Sequence, residues 1–175
     1  MEEFDVQRKN DKQYVLEKVK QNGKFPEFAS DELKDDKELV LSAVQQNAEA
    51  LEFASNRLKN DKEVVLPSVQ RIGWTACYAS EKLKADKDVI LSGIQIDGQI
   101  LYYASKELRD DEEVVLEAVK HKGLILKYAS KRLRNNKEIV ETAIKQDKRA
   151  KAYIASEELL QDSDIQAILN PPSQS

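Results

Sequence analysis

The only residues that offer a nucleophile and a base together are the single cysteine and the single histidine of this 175-residue chain, Cys77 and His121. Such a pair needs hydrogen-bond contact to work. The repeat pattern described below places the two residues in the third and fifth repeats, two layers apart. Serines recur six times, but no base accompanies them. We therefore expect the protein not to be an enzyme.

Metal and cofactor chemistry has little support either. One histidine and one cysteine cannot supply the usual zinc ligands. The acidic runs, of which residues 61–63 are typical, are interrupted by lysine and lack calcium-loop spacing. The chain also has no glycine-rich phosphate-binding loop. We expect no metal and no cofactor, and we interpret the acidic runs as helix caps.

Charge and hydropathy narrow the range of partners. The chain has 28 Lys and Arg against 32 Asp and Glu, giving a net charge of −4, which disfavours general nucleic-acid binding. No apolar run approaches the length that a membrane-spanning helix needs, so we expect no membrane partner. The acidic start, residues 1–5, does not resemble a signal peptide. With one cysteine, these features favour the cytoplasm, or the host cytosol for a viral or secreted factor.

The elements that position these residues follow from an internal repeat. The dipeptide Ala-Ser recurs at a constant interval, which lengthens by one residue only before the last copy. The alanines of these dipeptides are Ala29, Ala54, Ala79, Ala104, Ala129 and Ala155. The pattern predicts a single domain over residues 1–170. Its repeats are 11–35, 36–60, 61–85, 86–110, 111–135 and 136–161, followed by a partial cap at 162–170 and a disordered tail at 171–175.

Each repeat is predicted to contain two helices. The first helix begins at the acidic pair, where Asn60 and Glu63, like Asn135 and Glu138, have capping-box spacing. Glycines are expected to end it in the left-handed conformation, and these are Gly23, Gly73, Gly98 and Gly123. Pro67 lies inside the third such helix, so we expect a bend at 63–67 or a hydrogen bond opened to water.

The second helix is indicated by Leu101, Ala104, Ser105 and Leu108, which follow a helical period. We favour one continuous or kinked helix over the alternative, in which each serine caps a separate turn. An aromatic column precedes the alanines and should form a ladder of rings along the stack. Its members are Phe28, Phe53, Tyr78, Tyr103 and Tyr128.

These features together predict an all-α fold, an α-solenoid of about six 25-residue two-helix repeats with polar capping ends. Lys18 stands in a column of otherwise small residues in the first repeat, and Glu141 stands in an apolar column in the last, as exposed stack ends require. The extra residue of the sixth repeat is placed within 146–153.

The consensus of Asp-Lys-Glu-Val-Val-Leu, then Gly, then Tyr-Ala-Ser-x-x-Leu-Lys resembles a known repeat family. It is similar to the repeats catalogued as domain of unknown function 4116, over about residues 11–160. The resemblance implies an array of helical repeats and carries no general biochemical role. The sequence departs from the family pattern at Pro67, at Ala48 and across 146–153.

The turn between the two helices varies most, so it is the candidate site for recognition. Apolar or aromatic side chains occupy turn positions that are polar in other repeats. The alternative is that each folds back over its neighbouring repeat. We predict a non-enzymatic scaffold that binds another protein. The candidate partner-binding residues are Ile72, Trp74, Ile96, His121 and Leu124.

Two other functions are carried as alternatives. One is a viral or bacterial factor that inhibits a host or defence enzyme by surface contact. The other is a nucleic-acid binder that uses a ridge of basic residues. We interpret that ridge instead as a solvated edge, because each cation ends a helix and most are soon followed by an acid. It consists of Lys34, Lys59, Lys84, Arg109 and Arg134.

Overall fold

The computed structural model describes residues 4–21, 27 and 29–171. The chain divides into two compact units, Met1–Ile96 and Asp97–Ser175. Within the described residues there are no strands, and the seven longest helices are the main helices of the fold. They are α1 (Lys12–Gln21), α2 (Lys37–Gln46), α3 (Lys62–Arg71) and α4 (Lys87–Ile94) in the first unit, and α5 (Glu112–His121), α6 (Lys137–Gln146) and α7 (Ser163–Leu169) in the second. The predicted all-α repeat fold is confirmed.

Successive helices within each unit pack side by side, and their buried residues recur at the same places. In α3 these are Val64, Val65, Ser68 and Val69. The third, fourth, seventh and eighth residues of α1 to α6 are buried in the same way. In α3 this arc is buried because the helix packs between α2 and α4.

The helices begin at a side-chain cap one residue later than the sequence suggests. In α2, Asp36 Oδ1 accepts a hydrogen bond of 3.0 Å from the N–H of Leu39. The predicted capping boxes at Asn60 and Asn135 are therefore wrong: Asp61 and Asn136 cap the helices. The caps of α1 to α7 are Asp11, Asp36, Asp61, Asp86, Asp111, Asn136 and Asp162.

A short 3₁₀ helix, rather than an α-helix, follows most of the main helices. These segments are Ala48–Phe53, Gly73–Tyr78, Gly98–Tyr102, Gly123–Tyr128 and Lys148–Tyr153. The favoured continuous second helix is wrong, because the chain extends at Ala79 and Ser80 caps a separate turn, Glu81–Lys84. The helix can break here because the N–H of Ser80 donates to the carbonyl of Lys59 in the preceding repeat, at 3.0 Å.

The same main-chain tie recurs along the chain, and in the first repeat it reaches Lys9, which lies just before that repeat. It joins Ser30 to Lys9, Ser55 to Lys34 and Ser130 to Arg109, at 2.9–3.1 Å. In the sixth repeat Ala155 makes it, to the carbonyl of Arg134 at 3.0 Å. The alignment of the sixth repeat with the earlier repeats is therefore unbroken through residue 155. The extra residue follows it rather than lying within 146–153, so that prediction is wrong.

Close packing, not backbone handedness, explains Gly98 and Gly123. None of the described glycines has a positive φ, so the left-handed conformation predicted for Gly73, Gly98 and Gly123 is wrong. A Cβ on Gly98 would lie 2.8 Å from the carbonyl oxygen of Ala118. A Cβ on Gly123 would overlap the carbonyl oxygen of Ala143 more severely. The remaining predictions, for Gly23, Phe28 and residues 172–175, concern positions outside the described residues.

Two further expectations concern single side chains. Lys18, expected at an exposed end, is buried, with its ammonium nitrogen 5.7 Å from the centre of the Tyr14 ring. Burial is tolerated because the ring face attracts the cation.

Helix α3 covers the same ten positions as α2, α5 and α6, and Pro67 is exposed on its surface. The proline thus faces water without interrupting the helix.

Candidate partner-binding surface

The five predicted residues differ in exposure. Trp74, Ile96 and His121 are exposed, whereas Ile72 and Leu124 are half-buried. The tryptophan and both isoleucines belong to the first unit, and the other two residues belong to the second. The half-burial of Ile72 and Leu124 agrees with the alternative in which such side chains fold back onto the protein.

Trp74 is held on the 3₁₀ segment Gly73–Tyr78. Its ring is 39% exposed and meets Tyr78 edge to face, with ring centroids 5.7 Å apart. The Tyr78 hydroxyl donates a hydrogen bond of 3.0 Å to Glu52 Oε2. Burial and this hydrogen bond to a carboxylate raise the pKa of Tyr78 to about 12. The phenol therefore remains a proton donor at neutral pH and fixes the aromatic pair.

Cys77 lies on the same segment and is half-buried. Burial raises the pKa of its thiol, with the Glu52 carboxylate acting in the same direction and Lys84 and Lys59 against it. The thiolate is the nucleophilic form of cysteine. A raised pKa therefore makes Cys77 a weaker nucleophile at neutral pH.

The basic column is half-buried rather than a solvated edge. Burial lowers the pKa of Lys59. Lys84 has an 18% exposed side chain and pairs with Glu81 at 2.9 Å. The Nε atoms of Arg109 and Arg134 are buried without a hydrogen-bond partner among the described residues. These cations are therefore less accessible to phosphates than the sequence pattern suggests.

Part of the variation in the turns serves capping rather than recognition. The side chains of Asn47, Asp97 and Asp147 accept hydrogen bonds from the N–H groups two residues later, at 2.9–3.1 Å. Ile72 occupies the same position and has no such oxygen. Its carbonyl instead accepts a hydrogen bond of 2.7 Å from Thr75 Oγ1.

Thr75 also belongs to a buried polar contact that the other repeats lack. Its Oγ1 lies 2.8 Å from Oγ of Ser68, and that serine oxygen lies 2.7 Å from the carbonyl oxygen of Ala48. Both hydroxyl-bearing residues are fully buried. The third repeat therefore has a polar centre beneath the turn that carries Trp74.

Ile96 lies in different surroundings from Trp74. It is 54% exposed and lines an open groove of about 420 Å³ on the surface of α3 and α4. The other lining residues are Gln70, Asp88, Leu91, Ser92 and Gln95. In the first unit, the predicted turn surface therefore consists of two parts, the Trp74–Tyr78 aromatic pair and the groove that Ile96 lines.

His121 ends α5 and has an ordinary surface contact. Its Nε2 lies 3.4 Å from Glu117 Oε1, one helical turn earlier, and its side chain is 40% exposed. Leu124 lies between buried Gly123 and Ile125. Neither arrangement builds a reactive site.

Sequence reasoning missed Tyr102, whose side chain is 54% exposed. Its ring lies 5.0 Å from that of Tyr103 and 4.9 Å from that of Tyr128, and the Lys127 ammonium lies 4.6 Å from the Tyr128 ring. The predicted aromatic contact between these repeats therefore passes through Tyr102. The signal was present in its column, where Glu52 and Lys127 are charged.

The described residues contain no group of three or more His, Cys, Asp or Glu placed to hold a metal ion. The helices in this part of the chain are too short and too polar to cross a membrane.

The four-fold match of one family profile decides the relationship to known proteins. The family described as Domain of unknown function (DUF4116) matches residues 11–59, 36–75, 61–109 and 111–160. The chain belongs to this family. Each DUF4116 match begins at a residue that caps a main helix, namely Asp11, Asp36, Asp61 or Asp111. No curated protein and no solved structure matches this DUF4116 chain.

Proposed function

We propose that the protein is a non-enzymatic scaffold that binds a partner protein through the variable segments between its main helices. The observation that carries the proposal is Trp74, a large apolar side chain that is 39% exposed on a 3₁₀ segment. Other repeats place Lys24, Glu49, Gln99, Leu124 or Arg149 at this position. Stacking of the repeats therefore does not require an aromatic side chain there.

The surroundings of Trp74 suit a binding hot spot. Tryptophan and tyrosine are enriched among the residues that dominate interface energies. Trp74 is supported edge-on by Tyr78, which is in turn hydrogen-bonded to Glu52. Because these contacts restrict the side chains before binding, less conformational entropy is lost when a partner covers them.

The half-buried basic column weighs against the nucleic-acid alternative, which also requires affinity to fall steeply with salt. A factor that inhibits a host or defence enzyme would use the same kind of surface as the scaffold. The identity of the partner, and whether its activity falls on binding, separates these two functions. A cytoplasmic location is part of the proposal.

The test compares partner capture by immobilised wild-type protein and two single variants, with bound proteins identified by mass spectrometry. Trp74→Ala removes the aromatic anchor, and Gln99→Ala removes an exposed side chain from the same column one repeat later. We expect Trp74→Ala to weaken capture of a specific partner by about 30-fold, corresponding to a hot spot of about 2 kcal/mol. Gln99→Ala should retain it. Equal capture by all three proteins would exclude Trp74 as the anchor.

A further inference from the structure

The outward surface of α2, α3 and α4, extended by the two residues that follow α4, carries no charge at the positions that are charged in α1, α5 and α6. We call it the neutral face. It consists of Leu41, Ser42, Gln45, Leu66, Pro67, Gln70, Leu91, Ser92, Gln95 and Ile96, all exposed or half-buried. At equivalent positions α1 carries Glu17 and Lys20, α5 carries Glu117 and Lys120, and α6 carries Glu141 and Lys145. Arg71, at the position of Ile96 in the third repeat, is exposed and donates a hydrogen bond to the carbonyl of Gln45, so it borders the face with a positive charge. A third of the chain is charged, so a surface over three successive repeats whose own residues are all neutral requires an explanation.

One leucine per repeat forms the apolar part of the neutral face. Leu41, Leu66 and Leu91 occupy the same helix position and are half-buried, so part of each side chain reaches the surface. Beside Leu91, the short side chain of Ser92 helps to leave the groove of about 420 Å³ that Ile96 also lines. The face is therefore concave where it is most apolar.

Carboxylates border the neutral face where the helices begin. Lys37 pairs with both Asp61 at 2.7 Å and Glu63 at 2.5 Å. Lys62 pairs with Asp86 and with Asp88, each at 2.9 Å. Because each lysine faces two carboxylates, each such cluster retains one negative charge.

The outer carboxylates of these clusters face water. The side chains of Glu63 and Asp88 are each 80% exposed, and that of Glu38, which pairs with Lys12 at 2.9 Å, is 74% exposed. Asp88 also lines the groove that contains Leu91 and Ile96. We call Glu38, Glu63 and Asp88 the acidic rim. Asp88 connects this rim to the neutral face, because it lines the same groove.

We infer that the neutral face and the acidic rim bind an amphipathic α-helix of a partner protein, with an apolar stripe and lysine or arginine along one flank. The inference rests on the proposed function in taking the ligand to be a protein. The apolar stripe would cover Leu41, Leu66, Leu91 and Ile96. The basic flank would face the rim, whose exposed charge is negative.

The spacing of the repeats suits a helix that crosses them. Packed helices lie about 8–10 Å apart. Residues seven apart on a helix are separated by about 10.5 Å along its axis. Every seventh residue of the bound helix can therefore meet the leucine of the next repeat, and about 15–20 residues would cover all three. This is recognition of a helix in a groove.

Other classes of ligand fit this surface less well. The negative rim would repel the phosphates of nucleic acids and the headgroups of anionic lipids. The described part of the chain has no strand, so it offers no sheet edge to which an extended peptide could add.

The test uses the full-length protein and two designed helical peptides of about 20 residues, long enough to cross all three leucines. Both peptides carry leucine at every seventh position and at the adjacent positions of the apolar stripe. One has lysines along a flank and the other has glutamates there. Binding is followed by fluorescence anisotropy at low ionic strength. We expect the lysine peptide to bind at least about 10-fold more tightly than the glutamate peptide. Failure of both peptides to bind, or equal affinities, would overturn the inference.

Variants of surface residues locate the site. Ile96→Lys should weaken binding of the lysine peptide at least about 10-fold, whereas Leu116→Lys, on the charged face of α5, should leave it unchanged. Asp88→Lys should shift the preference toward the glutamate peptide. An unchanged preference in Asp88→Lys, or an equal loss in Leu116→Lys, would refute the placement. Circular dichroism verifies that each variant is folded.

The two proposals can fail separately. Trp74→Ala should not change peptide binding, because the tryptophan lies outside the neutral face. Loss of peptide binding in Trp74→Ala would contradict the assigned surface. If the peptides fail to bind while Trp74→Ala still abolishes partner capture, only the helix-binding inference is wrong. If the lysine peptide binds as expected while Trp74→Ala captures the partner as well as the wild type does, the helix site stands and Trp74 is excluded as an anchor.

Discussion

Gly123→Ala should destabilise the protein although the backbone at this position suits any residue. An added Cβ would overlap the carbonyl oxygen of Ala143, a main-chain atom that cannot rotate away, and would lie 2.9 Å from Gln146 Oε1. Overpacking of this kind costs about 1–3 kcal/mol. The lower entropy of the unfolded alanine chain offsets about 0.4–1 kcal/mol of that. We expect a net loss of about 1–2 kcal/mol, or a fall in Tm of about 2–8 °C.

Urea unfolding followed by circular dichroism measures this loss, and two further variants locate its cause. Gly98→Ala should cost less than Gly123→Ala, because its Cβ would lie 2.8 Å from the carbonyl oxygen of Ala118. Adding Ala143→Gly to Gly123→Ala should not restore stability, since the obstructing atom belongs to the main chain. A stability of Gly123→Ala equal to or above that of the wild type would refute the close-approach argument.

Three more substitutions test other parts of the structure. Pro67→Ser should raise the free energy of unfolding by about 1–3 kcal/mol by restoring a main-chain donor, and an unchanged Tm would contradict this. The Lys37 ammonium lowers the pKa of Asp61, so its contribution to stability is present above about pH 4 and is lost as pH falls through the lower folded-state pKa. Asp61→Asn should therefore lower stability at pH 7 and reduce its decline in acid, and an acid urea series with an unaltered slope would argue against this. Ser68→Ala should cost about 1–3 kcal/mol by removing the donor to the carbonyl of Ala48, and Thr75→Val should cost less in that background than alone, because the two hydroxyls share a hydrogen bond. Additive losses in a double-mutant cycle would show that the hydroxyls act independently.

The repeat architecture was predictable because its determinants recur in phase. Columns of small, apolar and acidic residues fix which face of each helix is buried and where the helix begins, within one residue. The second element was not predictable in detail, because the break after Ala79 depends on a hydrogen bond from Ser80 to the carbonyl of Lys59 in the preceding repeat. A local periodicity contains no information about such a bond.

The candidate surface was predictable only in part. Trp74 and Ile96 stand out in the sequence because most other repeats have a polar residue at their positions, and both are exposed. Ile72 and Leu124 stand out for the same reason but are half-buried, since exposure also depends on how the neighbouring residues pack. Tyr102 is less evident in the sequence, because it lies beside the aromatic column that contains Tyr103 and its own column has no other aromatic residue.

The ties between repeats also have a kinetic consequence. The main-chain bond from Ser80 reaches back to Lys59, and Lys62 reaches forward to Asp86 and Asp88, so each tie spans close to one repeat of chain. Contacts of this kind close loops of nearly constant, modest length wherever they occur along the chain. Loop closure entropy, and with it contact order, is therefore set by the repeat length rather than by the chain length. Any two adjacent repeats within a unit can serve as a folding nucleus, and lengthening the array should slow folding little.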